Sequence, residues 1–310
     1  MSVLALSGGI GGAKLAAGLC RVLPPGELTV VANTGDDFEH LGLSISPDID
    51  TLLYTLAGID NADHGWGRRE ETWTFMGALE TLGGETWFKL GDGDLATHVE
   101  RTRRLAAGEP LSRITDDFRR RLGIPAQLVP MTDDRVRTRL RTEAGWLDFQ
   151  DYFVRRRSSP VVREIVYAGA AEARASREFL AALADHTLSR IVICPSNPFL
   201  SIDPILSLPG VREALRCTQA PVVAVSPIIG GQAVKGPTAK IMTELGLPVS
   251  PAAVARRYAD FLDIYVADEA DADEVADLAV PVRLTRTLML TPEDRQTLAT
   301  AVLAAPGRGL

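Results

Sequence analysis

The chain has 310 residues, of which 46% are hydrophobic and 24% charged, the proportions of a globular protein of about two domains, or one large α/β domain with an insertion. A single small module and a disordered chain are excluded. Lys and Arg number 33 against 40 Asp and Glu, a net charge of −7, which argues against a general polyanion-binding surface; no nucleic-acid partner is expected, and a phosphate needs a local site.

Val3 to Leu6 is a short apolar run leading into Ser7-Gly8-Gly9-Ile10-Gly11-Gly12-Ala13-Lys14, after which Leu15, Leu19 and Val22 recur at helical spacing until Pro24-Pro25. With the apolar run Leu28 to Ala32 that follows, this reads as a βαβ unit and favours a parallel sheet. A helical pattern begins near Thr51. Between about Glu70 and Ala171 the character changes: helical patterns rich in Arg and Glu occupy 94–107 and 112–122, and strands are predicted near 127–130, 136–142 and 145–149. We read 70–171 as a largely helical insertion with a small antiparallel element, set between the two parts of an α/β core, 1–69 and 172–310. Ile191 to Cys194, Val222 to Val225 and Phe261 to Val266 are β-branched-rich and predict central strands that open into loops at their C-terminal ends. The acidic run from Asp268 to Glu274 reads as the solvated start of a helix.

The longest charge-free stretch, Cys217 to Val234, is broken by Pro221, Pro227, Gly230 and Gly231, so no membrane span is expected. Cys20, Cys194 and Cys217 form no CxxC pair, and the N-terminus begins directly with a strand-like run; a reducing cytoplasmic location is expected. His40, His64, His98 and His186 show no zinc spacing.

Four segments could carry chemistry. In the glycine turn, Gly8, Gly9, Gly11 and Gly12 let backbone approach a phosphate at a helix N-terminus. Neither standard motif is met: GxGxxG begun at Gly9 needs glycine where Lys14 stands, and a Walker A loop ending at Lys14 needs glycine where Ala13 stands. The second segment, Asn33-Thr34-Gly35-Asp36-Asp37, with Ser46-Pro47-Asp48-Ile49-Asp50, clusters carboxylates just past a strand end, where Asp50 with Asp36 or Asp37 would suit Mg²⁺ or substrate; Asp48 reads equally as a helix-capping residue. The third, Trp87-Phe88-Lys89-Leu90-Gly91-Asp92-Gly93-Asp94 with His98 beyond, offers aromatics to stack on a flat heterocycle and polar groups to anchor its edges, or a turn before a capped helix. The fourth comprises Ser196-Asn197-Pro198 after one predicted strand and Ser226 to Gly230 after the next, leading to Lys235 and Lys240; these offer amides and cations at the mouth of a parallel sheet, Lys240 reading also as a solvated helix lysine. His64, His186 and Arg155 to Arg157 read as surface features.

With these residues in place, the chain resembles the 2-phospho-L-lactate transferase (CofD) family of coenzyme F-420 biosynthesis. The resemblance rests on an ordered set from about Leu4 to Leu290: SGGIGGAKL, the N-T-G-D-D segment, ISPDIDTLLYTLAG, KLGDGDLATH, LVPMTDD, FQDYFVRRR, ICPSNPFLSIDPILSLPG and SPIIGGQAVKGPTAKIM. Gly93 departs from it, the family being associated there with a bulkier, often basic residue. The resemblance implies a Rossmann-like, doubly wound, mainly parallel sheet and a homodimer. It implies transfer of a phosphorylated three-carbon acid (2-phospho-L-lactate, phosphoenolpyruvate or phosphoglycerate) from a guanosine diphosphate ester to the deazaflavin Fo, with GMP released and Mg²⁺ as cofactor. Asp50 and Lys89 match the family's deazaflavin-binding Asp and Lys, with Trp87 and His98 alongside. The glycine turn with Lys14, and the loops carrying Ser196, Asn197, Pro198, Ser226, Gly230 and Lys235, would hold guanosine and diphosphate. The expected alternative is a non-catalytic nucleotide-binding regulator on the same fold; an NAD-dependent oxidoreductase is a distant third, since the third glycine is missing.

Overall fold

A computed structural model describes residues 2–61, 65–234 and 236–306. Its centre is a seven-stranded sheet, and every neighbouring pair in it is parallel. In chain order the strands are β1 (Ser2–Ser7), β2 (Leu28–Ala32), β3 (Gln127–Pro130), β4 (Leu188–Ile193), β5 (Val222–Val225), β6 (Ile264–Ala267) and β7 (Val282–Leu284). Their spatial order is β7-β6-β5-β4-β1-β2-β3. The order therefore reverses between β1 and β4, and in such sheets ligands bind in the crevice outside the carboxyl ends of the strands at this switch point.

Alternation along β1 divides the interior. Val3 and Ala5 join one buried apolar cluster with Leu15 and Leu19, while Leu4 and Leu6 join a second with Ile193 and Ile205. Both faces of the sheet are thus covered, which is why its strands read as continuous apolar runs. Helix α1 (Gly9–Val22) follows β1, packs against α2 (Pro47–Ala57), and lies against the chain's last long helix, Pro292–Leu303. Pro47 stands in the first turn of α2, so the helix starts four residues before the apolar pattern suggests and carries Asp48 and Asp50 in its first turn.

The connection from β2 to β3 carries a short hairpin (Phe38–His40 with Leu43–Ile45), α2, a helix at Thr74–Thr81, α3 (Asp92–Ala106) and α4 (Leu111–Arg121). Residues 127–130 do not belong to the antiparallel element, as their place in the sequence suggests, but form β3, paired with β2 from Thr29 opposite Gln127 to Ala32 opposite Pro130. Leu128, Val129 and Pro130 are buried, and a parallel neighbour of β2 needs only a long crossover, which residues 33–126 provide. The antiparallel sheet consists of Gly145–Asp148, Arg137–Thr142 and Val162–Ala168. No helix among the described residues is long and apolar enough to cross a membrane.

Candidate functional site

The carboxyl ends of β1, β4 and β5 open into a cavity of about 790 Å³, within the range of small-molecule sites. Of the residues singled out from the sequence, it brings together Gly8, Gly9, Gly11, Lys14, Asp36, Trp87, Lys89, Ser196, Asn197 and Ser226 on one wall or another. Gly12, Asp37, Asp50, His98, Pro198 and Gly230 are not on its wall. Lys235 and His64 lie outside the described residues.

The glycine turn has two jobs. Gly11 and Gly12 allow α1 to begin hard against the loop after β4: a Cβ on Gly11 would collide with the Pro195 carbonyl oxygen, and one on Gly12 with the Ser7 and Ser196 hydroxyls. Gly8, packed against Asp48 and Ser201, and Gly9 also line the cavity, but their amides already have acceptors. Gly8 N–H donates to Ser196 Oγ at 3.1 Å, and Gly9 N–H donates to Asp48 Oδ1 at 2.5 Å. The Asp48 carboxylate thus takes the first amide of α1, at the positive end of the helix. It does not cap its own helix, whose N-cap is Ser46; the fold carries it to the neighbouring helix instead.

Asn33, fully buried after β2, ties this corner together. Its Nδ2 donates to Asp48 Oδ2 at 2.9 Å, to Asp36 Oδ1 at 3.2 Å and to the Leu200 carbonyl at 3.2 Å, while its Oδ1 accepts from Gly35 N–H at 2.8 Å. Ser46 Oγ donates to Asp37 Oδ2 at 2.8 Å, and Asp37 Oδ1 is buried without a hydrogen-bond partner. Three carboxylates shut from water so close together resist ionisation. Burial, then the charges of Asp48 and Asp37, push Asp36 well above the usual aspartate range. Burial pushes Asp37 up to about 7 against the pull of Arg137, Ser46 and Arg101, and pushes Asp48 up to about 6 against Asn33 and the Gly9 amide.

Asp50 lies in a different environment. Its two oxygens meet the fully buried guanidinium of Arg101 on α3, Oδ2 at 3.1 Å from Nη1 and Oδ1 in contact with Nη2. His98 Nδ1 is 3.6 Å from Asp50 Oδ2 and Nε2 is 3.1 Å from Asp94 Oδ2, and Asp94 Oδ1 accepts from Tyr54 Oη at 2.6 Å. This α2–α3 contact is a buried polar chain running from Arg101 through Asp50, His98 and Asp94 to Tyr54. Arg101 has no signal in the sequence beyond its place on a helix.

A second wall is aromatic, formed by Trp87 and Phe88 with Phe38 and His40 packed behind them. Phe38 and Phe88 meet edge to face at 4.8 Å, His40 and Trp87 at 5.0 Å, and the Arg155 guanidinium lies 4.6 Å over Trp87. Trp87 is half-buried and Lys89 exposed at the edge of this cluster. Gly93 lacks a side chain, but Arg68 stands there instead, donating to the Gly93 carbonyl at 3.1 Å.

The remaining walls are held by hydrogen bonds the sequence does not announce. Asn197 Oδ1 accepts from the Phe199 and Leu200 amides, and its Nδ2 donates to Thr238 Oγ1 at 3.0 Å. Lys14 Nζ donates to the Met289 carbonyl at 2.8 Å, bringing residues 287–290 to the cavity. The acidic run after β6 is not a solvated helix start at its two key positions. Asp268 accepts from Thr287 N–H at 2.7 Å, and Asp271, almost fully buried, accepts from Gly230 N–H at 2.8 Å, so the run anchors two cavity loops. Lys240 is not on the cavity wall and donates to the Pro160 carbonyl at 2.8 Å. Gln150 and Arg157 line the cavity, although Arg157 stands in a stretch that reads as surface charge.

A profile of the family described as "2-phospho-L-lactate transferase CofD" matches residues 3–298. A protein of Streptomyces coelicolor named phosphoenolpyruvate transferase is 40% identical over 305 residues, covering 96% of this chain and 95% of the relative. One of Methanosarcina mazei named 2-phospho-L-lactate transferase is 42% identical over 306 residues, covering 98% and 100%. A solved structure of a UPF0052-family protein from Bacillus halodurans superposes with a TM-score of 0.66 at 14% identity, over 97% of this chain and 99% of that one; at that identity the likeness speaks for the fold alone.

Proposed function

The chain belongs to the 2-phospho-L-lactate transferase CofD family and is a transferase of the coenzyme F-420 pathway; from this premise we propose that it moves a phosphorylated three-carbon acid from a guanosine diphosphate ester to the deazaflavin Fo and releases GMP. The observation that carries this reading is that one cavity joins a helix N-terminus with buried carboxylates to an aromatic wall of Trp87 and Phe88 with Lys89 beside it. A diphosphate suits the first and a tricyclic heterocycle the second.

In this reading the terminal hydroxyl of the acceptor attacks the phosphorus that bears the acid, a new P–O bond forms, and the bond to the bridging oxygen breaks as GMP leaves in line. Positioning and charge stabilisation make up most of such catalysis. The Ile10 and Gly11 amides at the start of α1, with Ser196, would hold the phosphates. Trp87 and Lys89 would orient the acceptor. Asp36 is on the wall, and burial with the charges of Asp48 and Asp37 raises its carboxyl above the usual aspartate range, so it would orient the attacking hydroxyl and take its proton.

The site fits a divalent cation on one observation: Asp36 and Asp48 are buried, share the amide of Asn33, and form no ion pair with any described residue. Asp48, beside Asp36, would hold Mg²⁺, a hard ion suited to carboxylate oxygens, which when bound neutralises the diphosphate. Asp50, with both oxygens on Arg101, would instead fix the α2 turn that carries Asp48 and Thr51 to the wall. The test is incubation with Fo, Mg²⁺ and a mixture of the guanylated donors, following GMP release and the mass of the deazaflavin product. An adduct carrying one phosphorylated acid is expected and identifies the donor; absence of product with every donor overturns the proposal.

A further inference from the structure

Residues 155–157 are three consecutive arginines, and the structure uses each differently. Arg155 Nη2 is 3.0 Å from Glu85 Oε1 and its guanidinium covers Trp87. Arg156 Nε is 3.1 Å from Asp151 Oδ2. Arg157 forms no ion pair with any described carboxylate, is exposed, and lines the cavity. What sends it there is backbone geometry: the π-helical turn Asp151–Arg155 is followed by Arg157 at φ +51° and Ser158 at φ +54°, two successive non-glycine residues in the left-handed region. The turn is pinned by Ser158 N–H donating to the carbonyl of the fully buried Tyr152 at 2.9 Å. Such conformations are unfavourable and persist where the surroundings over-determine them, commonly at ligand sites.

The donor of the proposed reaction carries two kinds of anion, a diphosphate and the carboxylate of the three-carbon acid. In the transferase reading the diphosphate would have the N-terminus of α1 and the Mg²⁺ that Asp48 would hold. The carboxylate must enter a cavity lined by Asp36 and Asp48, where an unopposed negative charge is costly. Lys14 donates to a backbone carbonyl, and Lys89 stands beside the aromatic wall. A planar guanidinium matches a carboxylate through two parallel hydrogen bonds. We propose that Arg157 is a specificity-determining residue that binds the carboxylate of the donor's three-carbon acid. This inference rests on the transferase reading above.

The test is calorimetric binding, in Mg²⁺, of guanosine diphosphate and of its enolpyruvyl or 2-lactyl ester to the wild-type protein and to Arg157→Gln, Arg157→Lys and Arg157→Gly. Wild type is expected to bind both ligands, and Arg157→Gln to lose roughly 10- to 100-fold in affinity for the ester with guanosine diphosphate unchanged. Arg157→Lys should recover part of the loss. Arg157→Gly removes the guanidinium while relieving the left-handed backbone, so it should lose ester affinity equally while its Tm rises by about 2 °C. Ester binding that survives in Arg157→Gln, or falls no further than that of guanosine diphosphate, overturns the inference and leaves the transferase reading standing. A wild-type protein that binds neither ligand overturns both.

Discussion

Asp50 on α2 and Arg101 on α3, 51 residues apart, face each other as a two-pronged ion pair from which water is excluded. Removing one member of such a pair strands the other's charge in the interior, at a cost of about 3–5 kcal/mol, whereas removing both does not. Asp50→Asn and Arg101→Met should each lower unfolding free energy by about that amount. The double variant should recover part of the loss in urea denaturation. Single variants as stable as wild type would show that the pair does not carry the α2–α3 contact.

The carboxylate corner makes the metal-free protein sensitive to pH in an unusual direction. Asp48 and Asp37 hold protons up to about 6 and about 7, against 3.8 for an ordinary aspartate. The folded protein therefore binds protons that the unfolded chain has released, so their contribution is fully present below 3.8 and is lost as pH rises through about 6 and about 7. For Asp48 alone the loss is of order 3 kcal/mol. Tm measured without metal should fall between pH 5 and pH 8, and Mg²⁺ should restore it most at pH 8, where the carboxylates are free to bind it. A flat metal-free profile, or a Mg²⁺ effect that survives Asp48→Asn unchanged, contradicts this account.

Gly11 tests the close approach of α1 to the loop after β4. A methyl group there meets the Pro195 carbonyl oxygen, which is backbone and cannot rotate away. Gly11→Ala should cost about 1–3 kcal/mol through overpacking and weaken guanosine diphosphate binding by shifting the start of the helix. Gly77→Ala, on an exposed helix with open space around it, is the control and should leave binding unchanged. Equal affinity in Gly11→Ala and wild type would remove the turn from the nucleotide site.

Trp87 is, with Phe88, a ring that the aromatic wall offers to the cavity. Trp87→Ala should raise the Kd for Fo roughly tenfold, since an aromatic pair contributes about 0.5–1.5 kcal/mol beyond the area it buries. Fluorescence titration reads this directly, and guanosine diphosphate affinity should be unaffected. Loss of both affinities together would mean that the substitution collapses the cavity instead of removing one contact.

What the sequence determined by itself was whatever local physics encodes. The strand, glycine turn and helix from Ser2 to Val22 and the buried runs at Leu28–Ala32 and Val222–Val225 are legible because apolar period, glycine and proline act within a few residues. The ordered motifs then point to the family. The tertiary structure decided which of four nearby aspartates share the ligand space. Asp48, equally readable as a cap, reaches the Gly9 amide 39 residues away, while Asp50, two positions along the same helix, turns to Arg101. No spacing rule separates them, because the choice depends on which face of α2 meets α1 and which meets α3. The same holds for Arg157, indistinguishable in sequence from its two neighbours until a left-handed turn sets it apart. Composition and periodicity report how a segment meets solvent; a site is a set of long-range contacts, and only packing brings its members together.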